Sequence, residues 1–175
     1  MTEAQPSLLT VKEISIAIGD SPIVKQVSFS LHQGEILVIV GESGSGKTTI
    51  LKACAGMLPD TIRITNGSVA FAGRPLSRKD DWLPLRGRDM NYVFQDSLSS
   101  FCPVRSIYDQ LWDAARTAGM NRNEFDKTAA DRAAVLDLPK GTLSSYPQEL
   151  SGGMVQRAGL LFPLIIPPRL VFADE

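Results

Sequence analysis

The chain has 175 residues, enough for one domain, and its 43% hydrophobic content is that of a folded protein rather than a disordered one. Its 18 lysines and arginines are balanced by 19 aspartates and glutamates, so no basic excess favours nucleic acid as a partner. The two cysteines, Cys54 and Cys102, lack the spacing of a metal site. Residues 1–7 have no basic residue and no apolar run, so we do not expect a signal peptide. The longest apolar stretch, residues 160–166, contains Pro163 and is too short to span a bilayer.

The N-terminal part of the chain predicts an antiparallel pair of strands. Residues 8–18 place apolar side chains at alternating positions, residues 19–22 are a Gly-Asp-Ser-Pro turn, and residues 23–31 form the returning strand. Residues 35–40 then read Glu-Ile-Leu-Val-Ile-Val, a pattern typical of a parallel strand buried on both faces. The chain therefore begins with an antiparallel ribbon and continues into an α/β core.

A phosphate-binding motif follows this apolar run. Residues 41–48 read Gly-Glu-Ser-Gly-Ser-Gly-Lys-Thr and match the phosphate loop G-x-x-x-x-G-K-[ST] at every defined position, and helix formers follow at residues 49–55. Glycines let the backbone approach an anion, and the helix presents its positive end to it. We therefore predict a pocket for a nucleotide triphosphate, in which Lys47 reaches the β- and γ-phosphates and Thr48 binds Mg²⁺. The predicted binding residues are Gly41, Glu42, Ser43, Gly44, Ser45, Gly46, Lys47, Thr48 and Thr49.

Two further apolar stretches indicate strands in the middle of the chain. Turn signals at residues 66–68 and 72–75 bracket a short strand at residues 69–71. Residues 90–94 form another strand, which ends at Gln95. A polar residue at that point lies at the carboxyl end of a strand, where α/β sheets bind ligands.

From Ser106 onward the apolar period becomes helical. Ser106 with Asp109 resembles a capping pair for one helix, and Asn123 with Asp126 a capping pair for the next. A further helix begins after a loop, with Ser151 in the N-cap position. The residues predicted on the buried faces of the first two helices are Ile107, Leu111, Ala115, Phe125, Ala129, Ala133 and Leu136.

Four motifs in this order resemble the ATP-binding subunits of ATP-binding cassette (ABC) transporters. They are the phosphate loop, Gln95 in Val-Phe-Gln-Asp, the Leu-Ser-Gly-Gly-Met signature at residues 150–154, and an apolar strand that ends in Asp174 and Glu175. The phosphate loop alone would also fit kinases and GTPases, whereas the signature after a helical insert is far more specific. Residues 41–48, 94–98 and 146–153 look like the oligopeptide, dipeptide and nickel importer branch. The resemblance covers nearly all of the chain.

This resemblance implies an α/β fold: a P-loop NTPase core with an N-terminal antiparallel β subdomain and a helical insert. Residues 1–175 would form a single ATP-binding domain. Within it, residues 1–95 would hold the β subdomain and nucleotide-binding core, residues 96–157 the helical subdomain with the signature, and residues 158–175 the return to the core.

The resemblance also implies how ATP and Mg²⁺ are bound. Two copies, or this chain with a homologous one, would clamp ATP, with the phosphate loop of one subunit facing the signature helix of the other. Glu175 would accept a proton from the attacking water, a contribution of about 10²–10⁴-fold. The implied catalytic residues are Glu175, Gln95 and Lys47; the signature residues at the nucleotide are Ser151, Gly152 and Gly153; the Mg²⁺ environment is Thr48, Gln95 and Asp174.

By the same resemblance, the complete subunit would couple ATP hydrolysis to import of peptides or nickel and other metal complexes. It would bind transmembrane permease subunits at the cytoplasmic face of the membrane, and no nucleic acid. Two alternatives stay open: a non-transport ABC ATPase that acts as a soluble switch, and a fragment that binds nucleotide without hydrolysing it.

The sequence departs from the family pattern at three places. Ile18 stands where the family stacks adenine on an aromatic side chain, so a plain apolar contact with the base would replace stacking. Pro163 must kink or end the signature helix. After Glu175 the family continues into a strand that ends in a switch histidine, so we expect this chain to be a truncated subunit.

Overall fold

A computed structural model describes residues 7–174, which fall into two compact units, one ending at Arg86 and one beginning at Gly87. The expectations for residues 1–6 and the proton-accepting role predicted for Glu175 lie outside the described residues.

The first unit is built on an antiparallel sheet. Its strands are β1 (Leu9–Ile18), β2 (Ser21–Leu31), β3 (Ile62–Phe71) and β4 (Arg74–Leu76), in the order β2-β1-β3-β4. The buried faces of β1 and β3 carry much of the core of this unit, since Ile14 and Ile16 are fully buried and Val69 nearly so. The predicted antiparallel pair is confirmed, with β2 beginning two residues earlier than expected.

Strand β3 is longer than predicted, because the turn signals at residues 66–68 lie within it. Gly67 has φ of +87° and lies against the backbone of β1, where an added Cβ would be 2.5 Å from the carbonyl of Glu13. The pairing between β1 and β3 shifts register at this point. The extra residue lies in β1, where Glu13 and Ile14 stand opposite Gly67, so the Asn-Gly-Ser segment stays within β3 and does not end it.

The buried strand predicted at residues 35–40 is wrong for the described structure. No strand is assigned there within residues 7–174, and every side chain except the half-buried Ile39 is exposed, Ile36 to 92% and Val40 to 85%. An apolar run creates a preference for burial, but a strand also needs a hydrogen-bonded neighbour. The sequence pattern indicated that these side chains prefer burial, but it did not indicate whether a neighbouring strand would pair with them.

Two helices complete the first unit, α1 (Lys47–Cys54) and α2 (Lys79–Trp82). Helix α1 begins within the glycine-rich motif and buries Ile50 and Cys54, while Leu51 is only half-buried. Helix α2 is short, and the backbone N–H groups of Ser77 and Arg78 at its start donate hydrogen bonds to the carboxylate of Asp81. Its last residue, Trp82, is buried.

The second unit contains a parallel pair of strands, β5 (Met90–Val93) and β6 (Leu170–Ala173). Both strands were predicted from their apolar pattern. Their register pairs Met90 with Leu170 and Val93 with Ala173. Parallel pairing brings the carboxyl ends of the two strands to the same edge.

Between these strands the chain forms a helical cluster of α3 (Ile107–Thr117), α4 (Arg122–Val135), α5 (Gly152–Gly159) and α6 (Leu161–Ile165). The Ser106 side chain accepts a hydrogen bond from the Asp109 backbone, so the first predicted cap is confirmed. The second is wrong: Asn121, not Asn123, caps α4, because the same spacing to an acidic residue occurs two positions earlier. The predicted inward faces meet in one core of Ile107, Leu111, Ala115, Phe125, Ala129 and Ala133, with Leu136 packed against it.

Helix α5 ends before Pro163, as the sequence predicted. Pro163 lies in the first turn of α6, where backbone N–H groups have no intrahelical partner, so its missing donor costs little. Within residues 7–174, no helix combines the length and apolarity needed to cross a bilayer.

Candidate functional site

The glycine-rich loop of residues 41–48 adopts conformations that only glycine supports easily. Gly44 has φ of +79°, and Gly46, the N-cap of α1, has φ of +93°. Gly46 also lies close to β2, where an added Cβ would be 3.0 Å from Val24 Cγ2. The loop is therefore held tightly against the sheet just before α1 begins.

Lys47 folds back over this loop. Its ammonium group donates hydrogen bonds to the carbonyl oxygens of Gly41, at 2.9 Å, and of Glu42, at 2.8 Å. An ammonium group has three donors, so these two bonds leave one for a phosphate oxygen. Helix α1 has no acidic residue in its first turn, so its positive N-terminal end is not neutralised by its own sequence. The loop has the features of an anion site.

The opposite end of α1 is fixed by side chains from the α2 region. The indole N–H of Trp82 donates to the Cys54 carbonyl oxygen at 2.9 Å, and the Arg86 guanidinium donates to the carbonyls of Ala55 and Gly56. Gly56 itself has φ of +66° beneath the Trp82 ring. A short helix is thus anchored at the end away from the loop, a contribution that sequence reasoning missed.

Ile18 lies at the end of β1, where a base contact was predicted. It is 47% exposed and pairs with Ser21 and Ile62. Two positions earlier, Ile16 pairs with Val24, the residue that supports the loop at Gly46. The apolar contact of Ile18 with a base stays a prediction.

In the second unit the structure brings Gln95 together with the start of the signature helix. A cavity of about 390 Å³ is lined by Gln95, Leu150, Gly152 and Gln156, among others. Ser151 caps α5 as predicted, and its hydroxyl accepts a hydrogen bond from the Met154 backbone at 3.4 Å.

The first turn of α5 is open to solvent. Gly152 and Gly153 are exposed, an added Cβ on either would meet nothing within 4 Å, and the turn holds no acidic residue. A helix N-terminus of this kind can receive an anion from outside the chain.

Asp174 follows β6 and is buried, with 8% exposure. The Tyr92 hydroxyl donates to its Oδ2 at 2.9 Å, and the Asp174 backbone N–H donates to the Val93 carbonyl at 3.1 Å. Burial and the neighbouring Asp174 carboxylate raise the pKa of Tyr92 above its usual range, so the phenol remains a donor. Sequence reasoning missed Tyr92, because its link to Asp174 depends on the strand register.

The donor set predicted for Mg²⁺ consists of the Thr48 hydroxyl, the Gln95 amide oxygen and the Asp174 carboxylate. All three are oxygen ligands, which Mg²⁺ prefers. Among residues 7–174 there is no group of three or more His, Cys, Asp or Glu side chains that could hold a metal ion. Thr48 lies in the first unit and Gln95 and Asp174 in the second, so their joint binding of Mg²⁺ stays a prediction.

The chain is similar to a known protein family and to individual members of it. The profile of the ABC transporter family matches residues 24–175. The chain is 37% identical to the metal-staphylopine import system ATP-binding protein CntD of Staphylococcus aureus, over 97% of this chain and 65% of that protein. It is 32% identical to the dipeptide transport ATP-binding protein DppD of Lactococcus lactis, over 98% of this chain and 52% of that protein. The chain thus spans between about half and two thirds of the length of these relatives.

Solved structures share the fold. The dimeric ATP-binding cassette MJ0796, in a post-hydrolysis state with ADP and Pi, matches with a TM-score of 0.82 at 23% identity, over 95% of this chain and 73% of that one. The ATP-binding subunit of an ABC transporter matches with a TM-score of 0.80 at 24% identity, over 97% of this chain and 66% of that one. At these identities the likeness shows a shared α/β fold and nothing about activity.

Proposed function

The chain belongs to the ABC transporter family, and from that premise we propose that it binds and hydrolyses ATP as a subunit of an importer for peptides or metal complexes. The observation that carries the proposal is the loop of residues 41–48. Its glycines turn the backbone ahead of α1, and Lys47 lies across it with an ammonium group ready for phosphate. This is the arrangement that a triphosphate tail needs.

We infer that hydrolysis takes place between two ATP-binding subunits. The open N-terminus of α5, with Ser151, Gly152 and Gly153, would meet the nucleotide held by the loop of the partner. Two helix N-termini and Lys47 would then surround the γ-phosphate with fixed positive potential. Such preorganised charge stabilises the charge of the transferring phosphoryl group.

The remaining predicted residues would act at the reacting phosphate. Thr48, Gln95 and Asp174 would hold Mg²⁺, which when bound neutralises phosphate charge. Gln95 would also orient groups near the ion through its side-chain amide. Glu175 would accept the proton of the attacking water.

The importer role is supported by the relatives, which are ATP-binding proteins of metal-staphylopine import and of dipeptide transport. Partners would be a second ATP-binding subunit and transmembrane permease subunits, and the protein would lie at the cytoplasmic face of the membrane through them. Which peptide or metal complex is carried would be decided by those partners.

Nucleotide binding is tested with a fluorescent ATP analogue and Mg²⁺. Lys47→Ala should weaken binding about 10- to 100-fold, the equivalent of a lost charge-assisted hydrogen bond. Lys52→Ala is the matched control, because Lys52 lies in the last turn of the same helix and should leave affinity unchanged. Equal affinity of wild type and Lys47→Ala would refute the loop assignment.

Turnover and transport need separate measurements. Glu175→Gln should keep nucleotide affinity and lose about 10²–10⁴-fold in phosphate release. A permease encoded beside the gene should co-purify with the chain. If the chain hydrolyses ATP but does not bind the permease, and the permease does not change the hydrolysis rate, the soluble switch is favoured. Nucleotide binding without hydrolysis would favour the inactive fragment.

A further inference from the structure

Asp174, the residue that follows β6, lies on the buried face of that strand. Leu170 and Phe172 are buried, Val171 between them is 44% exposed, and Asp174 continues the buried series at 8% exposure. A carboxylate at such a position is costly unless hydrogen bonds satisfy it. Its surroundings therefore matter more than those of a solvated acid at a strand end.

The register of the parallel pair explains which side chain reaches it. Tyr92 is the Cα partner of Phe172, so both point to the same face of the sheet. Asp174, two residues past Phe172, is the diagonal neighbour of Tyr92, at about 7–8 Å between such positions. Only a long side chain that leans along the strand spans that distance, and the Tyr92 hydroxyl does so at 2.9 Å.

The Tyr92 ring is itself held in place. Its centroid lies 4.8 Å from that of Phe94 and 6.3 Å from that of Phe172. The Asp174 backbone is tied to the same strand through its bond to the Val93 carbonyl. Both ends of the acid, backbone and carboxylate, are therefore fixed by β5.

We propose that Tyr92 is a positioning residue for the Mg²⁺ site: its hydroxyl fixes the orientation in which Asp174 meets the ion bound with ATP. The inference rests on the proposed function, because it assumes that Asp174 belongs to that site. A hydrogen bond to a ligating carboxylate restricts its rotation, so less ordering is required when the ion arrives. Tyr92 then sets how much Mg²⁺ is needed for tight nucleotide binding.

The test is Tyr92→Phe, which removes the hydroxyl and keeps the ring. Affinity for a fluorescent ATP analogue is measured across a Mg²⁺ titration and again in EDTA. We expect the Mg²⁺ concentration at half-saturation to rise about 10- to 100-fold. Affinity in EDTA should stay at the wild-type value, since a merely structural role would change both.

Tyr108→Phe is the matched control. It removes a tyrosine-to-aspartate hydrogen bond of the same kind, between Tyr108 and Asp126 on α3 and α4, away from β6. It should change neither measurement. In Asp174→Asn the Mg²⁺ concentration at half-saturation should also rise. Adding Tyr92→Phe to this variant should cause no further rise, because Tyr92 acts through Asp174.

The outcomes separate the two proposals. Wild type that binds no nucleotide overturns the proposed function and this inference with it. Wild type that binds, with Tyr92→Phe showing unchanged Mg²⁺ dependence, overturns the inference alone. Equal losses with Mg²⁺ and in EDTA, or loss of the folded state by circular dichroism, would assign Tyr92 a structural role and also overturn it.

Discussion

Replacing Gly56 by alanine perturbs the anchored end of α1 without touching the phosphate loop. Gly56 has φ of +66°, and an alanine in the left-handed region costs about 1–2 kcal/mol. The new Cβ would also lie 2.5 Å from Trp82 Cδ2 and 2.8 Å from Cδ1, and Trp82 is buried. Overpacking of this kind adds about 1–3 kcal/mol. We expect a loss of about 2–5 kcal/mol, a large share of the roughly 5–15 kcal/mol that holds a domain together.

The control for this prediction is Gly73→Ala in the same unit. Gly73 has φ of +79°, but an added Cβ there meets nothing within 4 Å, so it should cost only the backbone part, about 1–2 kcal/mol. Urea denaturation followed by far-ultraviolet circular dichroism gives both values. In a Trp82→Ala background the cost of Gly56→Ala should fall to that of Gly73→Ala. If the two glycine variants were equally destabilised in the wild-type background, the contact between Gly56 and Trp82 would not matter as argued.

Three further predictions test other parts of the structure. Iodoacetamide added to the folded protein should modify exposed Cys102 and spare Cys54, because burial raises the pKa of the Cys54 thiol to about 12. Rapid labelling of Cys54, detected by mass spectrometry, would contradict this. Ser106→Ala should lower unfolding free energy by about 1 kcal/mol through loss of a helix cap, and an unchanged urea midpoint would speak against it. The backbone N–H of Arg78 lowers the pKa of Asp81, so that carboxylate stabilises the fold at neutral pH and its contribution disappears as pH falls below about 4. Asp81→Asn should thus be less stable than wild type at pH 7, with a smaller difference at pH 3, and an equal difference at both pH values would refute the account.

The parts that could be predicted from the sequence are those in which a local pattern contains its own partner. Ser106 caps a helix through a backbone N–H three residues away, and Pro163 excludes a continuing helix by its own ring. The phosphate loop is local in the same way, since Lys47 bonds to carbonyls five and six residues before it. Neighbouring residues are close in space whatever the rest of the chain does.

The features that the sequence did not predict depend on contacts with residues far away in the sequence. Residues 35–40 have the composition of a buried strand but no strand partner among the described residues, and the turn residues around Gly67 continue β3 only because β1 pairs beside them. The anchoring of α1 by Trp82 joins residues 28 positions apart, with no pattern that marks it. Periodicity states which side chains avoid water, and does not state what they pack against.

For the candidate site the division is the same. By itself the sequence determined the residue types and their order, namely the phosphate loop, Gln95, the signature of residues 150–154 and Asp174, because spacing along the chain is enough to recognise them. The tertiary structure alone decided that Gln95 shares a cavity with Gly152 and that Tyr92 holds the Asp174 carboxylate. The physical reason is that strand register and helix packing bring together residues whose separation in sequence carries no information about their contact.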